Sequence, residues 1–356
     1  MKLKRRLLIF TNLTLLIFFA FFIYSVYFPE KPSTEPPTLE DYTLMKRQAL
    51  INFLWREEGF PYKRMPDSVE FDVDDDKFSN ITNLKQIDRI SVIMDYGITS
   101  TFYHFHPIES NNKLMVYHHG HQGDFSSASN TIGFFVENGY SVMAFDMPMT
   151  GRNNRPTIEL ETGEEIQLDH NKLKFLKSKD GSSPVKFFVE PVAIGLNYAE
   201  KFNYDSVSMI GLSGGGWTTV LYSAIDPRVY RSYPVAGSLP LVFRNTDFNP
   251  LHANAEFGDY EQNLPELYYG IADYTDLYIL GSYGDGRLQL QIFNENDPCC
   301  FSDGDRSLQY MYYVKYILNS LGKGSFDVWT DSSHNEHKIS DVALSFILKE
   351  ELKHNS

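Results

Sequence analysis

Apolar residues along this chain fall in short blocks separated by polar, glycine-bearing turns, and the blocks keep two different spacings. Residues 113–118, 140–145, 207–210, 230–237, 288–293 and 325–330 are short apolar runs, and each predicts a β-strand. Residues 128–138, 184–202, 217–224, 308–321 and 339–352 read as helices, the fourth ended by Gly322. Strand, glycine-bearing loop, helix, turn and strand recur at the spacing of βαβ units, which predicts a parallel sheet. Upstream, residues 88–107 read as two strands around Tyr96-Gly97, and residues 39–57 as an amphipathic helix carrying Leu44, Leu50 and Leu54. Residues 152–183 and 238–284 keep little period and read as inserted cap or lid segments. No internal repeat interrupts this order.

The amino terminus follows a different pattern. Lys2, Lys4, Arg5 and Arg6 precede an uncharged run over residues 7–28, long enough for a helix to cross a bilayer. The run ends in aromatic residues without an A-x-A-like cleavage site. Residues 1–28 are therefore expected to form a single-pass anchor, with the body outside the cytoplasm. A cleaved signal segment and a secreted body are the alternative. Residues 29–37 are a Pro-rich tether, and residues 38–356 are left as one domain.

Composition narrows the possibilities. With 42% hydrophobic residues in 356, the chain can build a sizeable core, and a formal charge of −14 argues against a nucleic-acid partner. The two cysteines, Cys299 and Cys300, are adjacent and form no disulfide framework; two buried thiols are expected. Residues 70–76 read as a solvated acidic turn. His104 and His106 would share one strand face, but two histidines make only half a metal site.

The chemistry centres on Gly211-Leu212-Ser213-Gly214-Gly215, which fits G-x-S-x-G between a strand and a helix. In such a turn the serine takes a strained backbone conformation, and glycines two positions away avoid collision with it. Asp297 and the pair His334 and His337 also stand just past predicted strand ends, where open α/β sheets bind ligands. The chain order is serine, acid, histidine. With His119-Gly120 after an early strand and Asp146-x-Pro-x-x-Gly151, these motifs resemble the α/β-hydrolase superfamily over residues 88–352.

That resemblance implies an α/β-hydrolase fold, with a mostly parallel central sheet, flanking helices and cap insertions. It implies a serine hydrolase that cleaves an ester, thioester or amide through an acyl-enzyme, with Ser213 as nucleophile, His337 or His334 as base, and Asp297 as the orienting acid. The alternative is Glu295 as the acid, with Asp297 a turn residue before Pro298. The implied oxyanion hole is formed by the backbone N–H groups of Gly214 and His121. A peptidase of the same fold and a catalytically inactive binding protein are the alternatives. No metal or organic cofactor is implied. The implied partners are a small-molecule, acyl or peptide substrate and, through residues 1–28, a membrane. The side chains of His118, His119 and His121 read as packing and loop histidines, Asp146 as a structural strand-end residue, and Trp217 with the tyrosines of residues 260–283 as core or lid packing.

Overall fold

A computed structural model describes residues 38–159, 162–176, 181–244, 258–302 and 305–353. Residues 43–356 form one compact unit, which carries the sheet and the site described below. The helices are α1 (Leu39–Trp55), α2 (Ser129–Glu137), α3 (Lys186–Ala199), α4 (Gly214–Ile225), α5 (Pro265–Tyr268), α6 (Tyr274–Ser282), α7 (Leu308–Leu321) and α8 (Asp341–Leu352). The strands are β1 (Ser68–Glu70), β2 (Leu84–Ile93), β3 (Thr99–Pro107), β4 (Lys113–His118), β5 (Ser141–Phe145), β6 (Thr157–Glu159), β7 (Glu165–Gln167), β8 (Ser206–Leu212), β9 (Val229–Val235), β10 (Leu288–Asn294) and β11 (Ser325–Asp331).

Nine strands form one sheet in the order β1-β2-β3-β5-β4-β8-β9-β10-β11. From β5 to β11 neighbouring strands run parallel, while β1, β2 and β3 form an antiparallel flank joined antiparallel to β5. The sheet is thus mixed and mostly parallel, with helices on both faces. The central strands are nearly continuous in apolar character because both faces are covered. Alternate residues serve opposite cores. Leu114 and Val116 join one core with Met143, Met209 and Trp217, while Met115 and Tyr117 join the other with Val142, Ile132 and Leu344.

β4 precedes β5 in sequence but lies inside it in the sheet, and the chain then crosses to β8 on the other side of β4. Strand order reverses there, so the loops after β4 and β8 diverge and leave a crevice at their carboxyl ends. Residues 152–183 contain the separate β6–β7 hairpin, and residues 238–284 contain α5 and α6. Helix α6 starts with a capping box made by Asp273 and Asp276, a signal that the weak apolar period there obscured.

Two expectations are corrected. The membrane anchor, and with it the membrane partner and the single-pass location, is not supported. Among the described residues no helix is long and apolar enough to cross a membrane. The longest, α1, has 17 residues and carries Glu40, Asp41, Lys46 and Arg47, whereas a span takes about 20 apolar residues. The anchor and the tether, expected over residues 1–37, lie outside the described residues. The second correction concerns Cys299 and Cys300, which are joined to each other by a disulfide and are half-buried rather than buried thiols.

The closing helix is tied to the sheet by a buried carboxylate. Glu351 is 3% exposed and accepts hydrogen bonds from Ser208 Oγ (2.7 Å), Tyr233 OH (2.7 Å) and Tyr140 OH (3.4 Å). Removing it leaves three buried hydroxyls without their acceptor, so Glu351→Ala is expected to lower the unfolding free energy by about 2–4 kcal/mol. Equilibrium urea unfolding measures this. A loss under about 1 kcal/mol would mean that the hydroxyls find other acceptors.

Candidate active site

The site begins at the turn from β8 into α4. Ser213 has φ 59° and ψ −125°, a conformation that a non-glycine residue holds only at some cost. Its N–H donates to Val235 O at 2.9 Å, and its carbonyl accepts from Trp217 N at 3.0 Å. Two glycines make the turn possible. A Cβ on Gly211 would stand 2.2 Å from Gly215 O, and one on Gly215 would stand 1.9 Å from His118 O. The three backbone segments could not otherwise lie this close.

Gly214 opens α4, so its N–H is one of those that intrahelical bonding leaves free. The loop after β4 lies over it. A Cβ on Gly214 would stand 2.3 Å from His121 Cε1, and one on Gly120 would stand 3.0 Å from both Leu212 O and Ser213 Cβ. His119 stiffens this loop. Its Nε2–H donates to Gln122 O at 2.7 Å, so Nδ1 accepts from Tyr117 OH at 2.8 Å. Burial lowers the pKa of His119 and favours that neutral ring. His118 is fully buried, donates from Nδ1 to His119 O, and is pushed down by burial to about 4. Both behave as loop and packing histidines.

Of the two histidines after β11, His337 meets Asp297, with Nδ1 2.7 Å from Oδ2. His334 instead turns to its own loop. Its Nε2 is 3.4 Å from Asp331 Oδ2, and its Nδ1 accepts from Glu336 N. The Asp297 side chain is fully buried. Burial opposes its charge, but His337 and the N–H groups of Cys300 (3.0 Å) and Cys299 (2.9 Å) outweigh that and hold its pKa below the ordinary value. Asn294 Nδ2 also donates to Asp297 Oδ2, at 3.1 Å. Glu295 is exposed.

Ser213 and His337 line one cavity of about 860 Å³, together with His121, Cys300, Asp259 and Gln262. No hydrogen bond joins Ser213 to His337 in this structure. Ser213 Oγ lies 4.0 Å from Cys300 Sγ, and among the described residues His337 Nε2 has no hydrogen-bond partner.

Several contacts at the site were not foreseen. The N–H groups of Cys299 and Cys300 and the Asn294 amide hold the Asp297 carboxylate, but a D-P-C-C stretch carries no mark of that contact. His121 Nε2 meets Glu261 Oε1 at 2.9 Å, across 140 residues of sequence, and His170 joins them from the first insertion. Burial disfavours the charge of Glu261, but His121 and His170 outweigh it and bring its pKa to about 2. His104 and His106 pair with Tyr204 and Asp88, respectively, away from this cavity. Trp217 is buried and donates to Tyr268 OH at 2.7 Å.

No protein-family model matches the chain, and no curated protein matches it by sequence. Solved structures do share its fold. Acetyl xylan esterase 1 from Thermoanaerobacterium sp. JW/SL YS485 is 14% identical with a TM-score of 0.54, and the match covers 86% of this chain and 93% of that one. Methylesterase BT1017 is 13% identical with a TM-score of 0.56 over 87% of this chain, which spans 63% of that protein's length. An acetyl xylan esterase from Paenibacillus sp. R4 is 13% identical with a TM-score of 0.52, covering 89% of this chain and 95% of that one. At these identities the likeness concerns the fold alone, and this chain has an α/β-hydrolase fold with insertions.

Asp146 braces the rim of the site. It accepts from Phe125 N (2.7 Å) and Arg152 N (3.0 Å), joining the loops after β4 and β5. Burial raises its pKa to about 7 despite these bonds. An unfolded aspartate loses its proton near pH 4, so between about pH 4 and 7 the native state holds a proton that the unfolded chain has released. The stability that Asp146 contributes is therefore full below pH 4 and is lost as pH rises through 7. Relative to the wild type, Asp146→Asn should gain at least about 1 kcal/mol between pH 4 and 8. Urea unfolding at several pH values reads this, and a pH-independent difference would contradict it.

Proposed function

We propose that this protein is a serine hydrolase of carboxylic esters. The observation that carries the reading is a strained serine at a strand-to-helix turn, sharing one cavity with a histidine whose Nδ1 is bonded to a buried carboxylate. In the proposed reaction Ser213 Oγ attacks the ester carbonyl carbon, and His337 Nε2 takes the serine proton. The carbonyl oxygen gains charge and is held by the N–H groups of Gly214 and His121, a type of contact worth about 3 kcal/mol of barrier per donor. His337 passes its proton to the departing alcohol as the ester C–O bond breaks, leaving an acyl-enzyme. A water, deprotonated by the same histidine, releases the acid and restores Ser213. Asp297 holds the imidazole with Nδ1–H towards itself and stabilises the imidazolium.

The cavity wall is mixed: His119, Gln122 and Gln262 line it beside Leu212, Phe301 and Ile339, so it gives polar groups and a small apolar group each a place to rest. The three structures described above are named as esterases of acetylated xylan or of methyl esters, which is consistent with a short acyl or alkyl group. A peptidase would need a site for an extended chain, and nothing at this cavity favours one.

Five outcomes are expected. Ser213→Ala should abolish p-nitrophenyl acetate hydrolysis and fluorophosphonate labelling without loss of fold, and hydrolysis of p-nitrophenyl palmitate by the wild type should be slower than that of the acetate by about tenfold or more. His337→Ala should lower kcat by roughly a thousandfold or more, Asp297→Asn should be comparably severe because the amide favours the other tautomer, and His334→Ala should stay near the wild type. Full activity in the folded His337→Ala protein would sink this mechanism.

A further inference from the structure

We infer that His121, His170, Asp259 and Glu261 form a binding site for one divalent transition metal, zinc foremost, which ties both insertions to the loop over Ser213. One ligand atom from each of the four lies within 4.8 Å of all the others. His121 Nε2 is 2.9 Å from Glu261 Oε1 and 3.1 Å from Asp259 Oδ2, and His170 Nε2 is 3.5 Å from Glu261 Oε2. Tetrahedral zinc with nitrogen and oxygen ligands near 2.0–2.1 Å sets neighbouring ligand atoms about 3.3 Å apart, so the cluster already has the spacing that one ion needs.

A second observation points to a ligand. The Glu261 side chain is fully buried, and its Oε2 meets His170 Nε2 only as a loose ion pair at 3.5 Å, with no hydrogen bond between them. His170 is itself largely buried. Buried polar atoms held by so loose a contact cost free energy unless something satisfies them better, and two of them face each other here. The two imidazoles stand almost perpendicular, at 87°, with centroids 4.5 Å apart, so their nitrogens can approach one point from different directions.

The donor set selects the ion. Two imidazoles and two carboxylates suit zinc or a neighbouring divalent transition metal. Calcium and magnesium favour oxygen alone, and a thiophilic ion would want sulfur. The four ligands come from three parts of the fold: His121 from the loop after β4, His170 from the first insertion, and Asp259 with Glu261 from the second. Because the His121 ring rests on Gly214, an ion held here fixes the loop that covers the nucleophile. The role is positional. The four residues leave no ligand place free for a reacting group, so zinc is not assigned a step in the chemistry.

The test uses the full-length protein, stripped with EDTA, exchanged into buffer and titrated with zinc sulfate. Bound metal is read by mass spectrometry after desalting, and affinity by competition with a chromogenic chelator. About one zinc per chain is expected, with a rise in melting temperature on binding. His170→Ala and Asp259→Asn should each weaken zinc binding by about tenfold or more and abolish that rise. Asp259 is 43% exposed, so its variant should fold and will decide the matter even if His170→Ala does not. Fewer than about 0.2 zinc per chain in the wild type, or unchanged affinity in folded Asp259→Asn, would overturn the site and leave a plain ion-pair cluster. The measurement needs no substrate, so its outcome is separate from that of the serine-hydrolase reading.

Discussion

The contact on which the rest of this structure depends is the close approach of three backbone segments at Ser213. Gly215 presses on the carbonyl of His118, and Gly211 presses on the carbonyl of Gly215. That approach holds the end of β4 against the start of α4. It also keeps Ser213 at a positive φ, a strain that persists only because the surrounding bonds over-determine it. A methyl group on either glycine would separate the segments. The loop bearing His121 would then lose its seat on Gly214, and the crevice between the diverging loops would lose its floor.

Around that turn, buried carboxylates organise the loops, and their environments differ in an instructive way. Asp297 and Asp146 are both largely buried aspartates accepting two backbone N–H groups, yet their pKa values move in opposite directions. Burial pushes both upward. Asp297 has the His337 imidazole against it, and that partner reverses the push. Asp146 has Asp124 nearby, and its backbone donors do not overcome desolvation. One carboxylate is thereby kept charged beside the candidate nucleophile and base, while the other is a neutral-leaning brace at the rim. Glu351 does similar work far from the site, holding α8 to the sheet through three hydroxyls.

Helix and strand periods, glycine punctuation and the G-x-S-x-G spacing are local properties of a chain, set by sterics and by which face must be buried. They made the parallel sheet, its flanking helices and the place of Ser213 legible in the sequence alone. The short strands β1, β6 and β7 and the helix α6 were not legible, because three residues carry no period and α6 is apolar on most of its surface.

What only the tertiary structure decided are the meetings of distant loops. Sequence left His334 and His337 open; the fold turns His334 toward Asp331 and brings His337 to Asp297, 40 residues away. Cys299 and Cys300 were read as thiols because neighbouring cysteines seldom pair, and the turn around Asp297 joins them instead. Nothing near His121 announces His170, Asp259 or Glu261, since their convergence requires two insertions to fold over the same crevice. Period and local sterics act over a few residues and are written in the chain. Hydrogen bonds between loops depend on where the sheet delivers each loop, and that is known only once every strand has its neighbour.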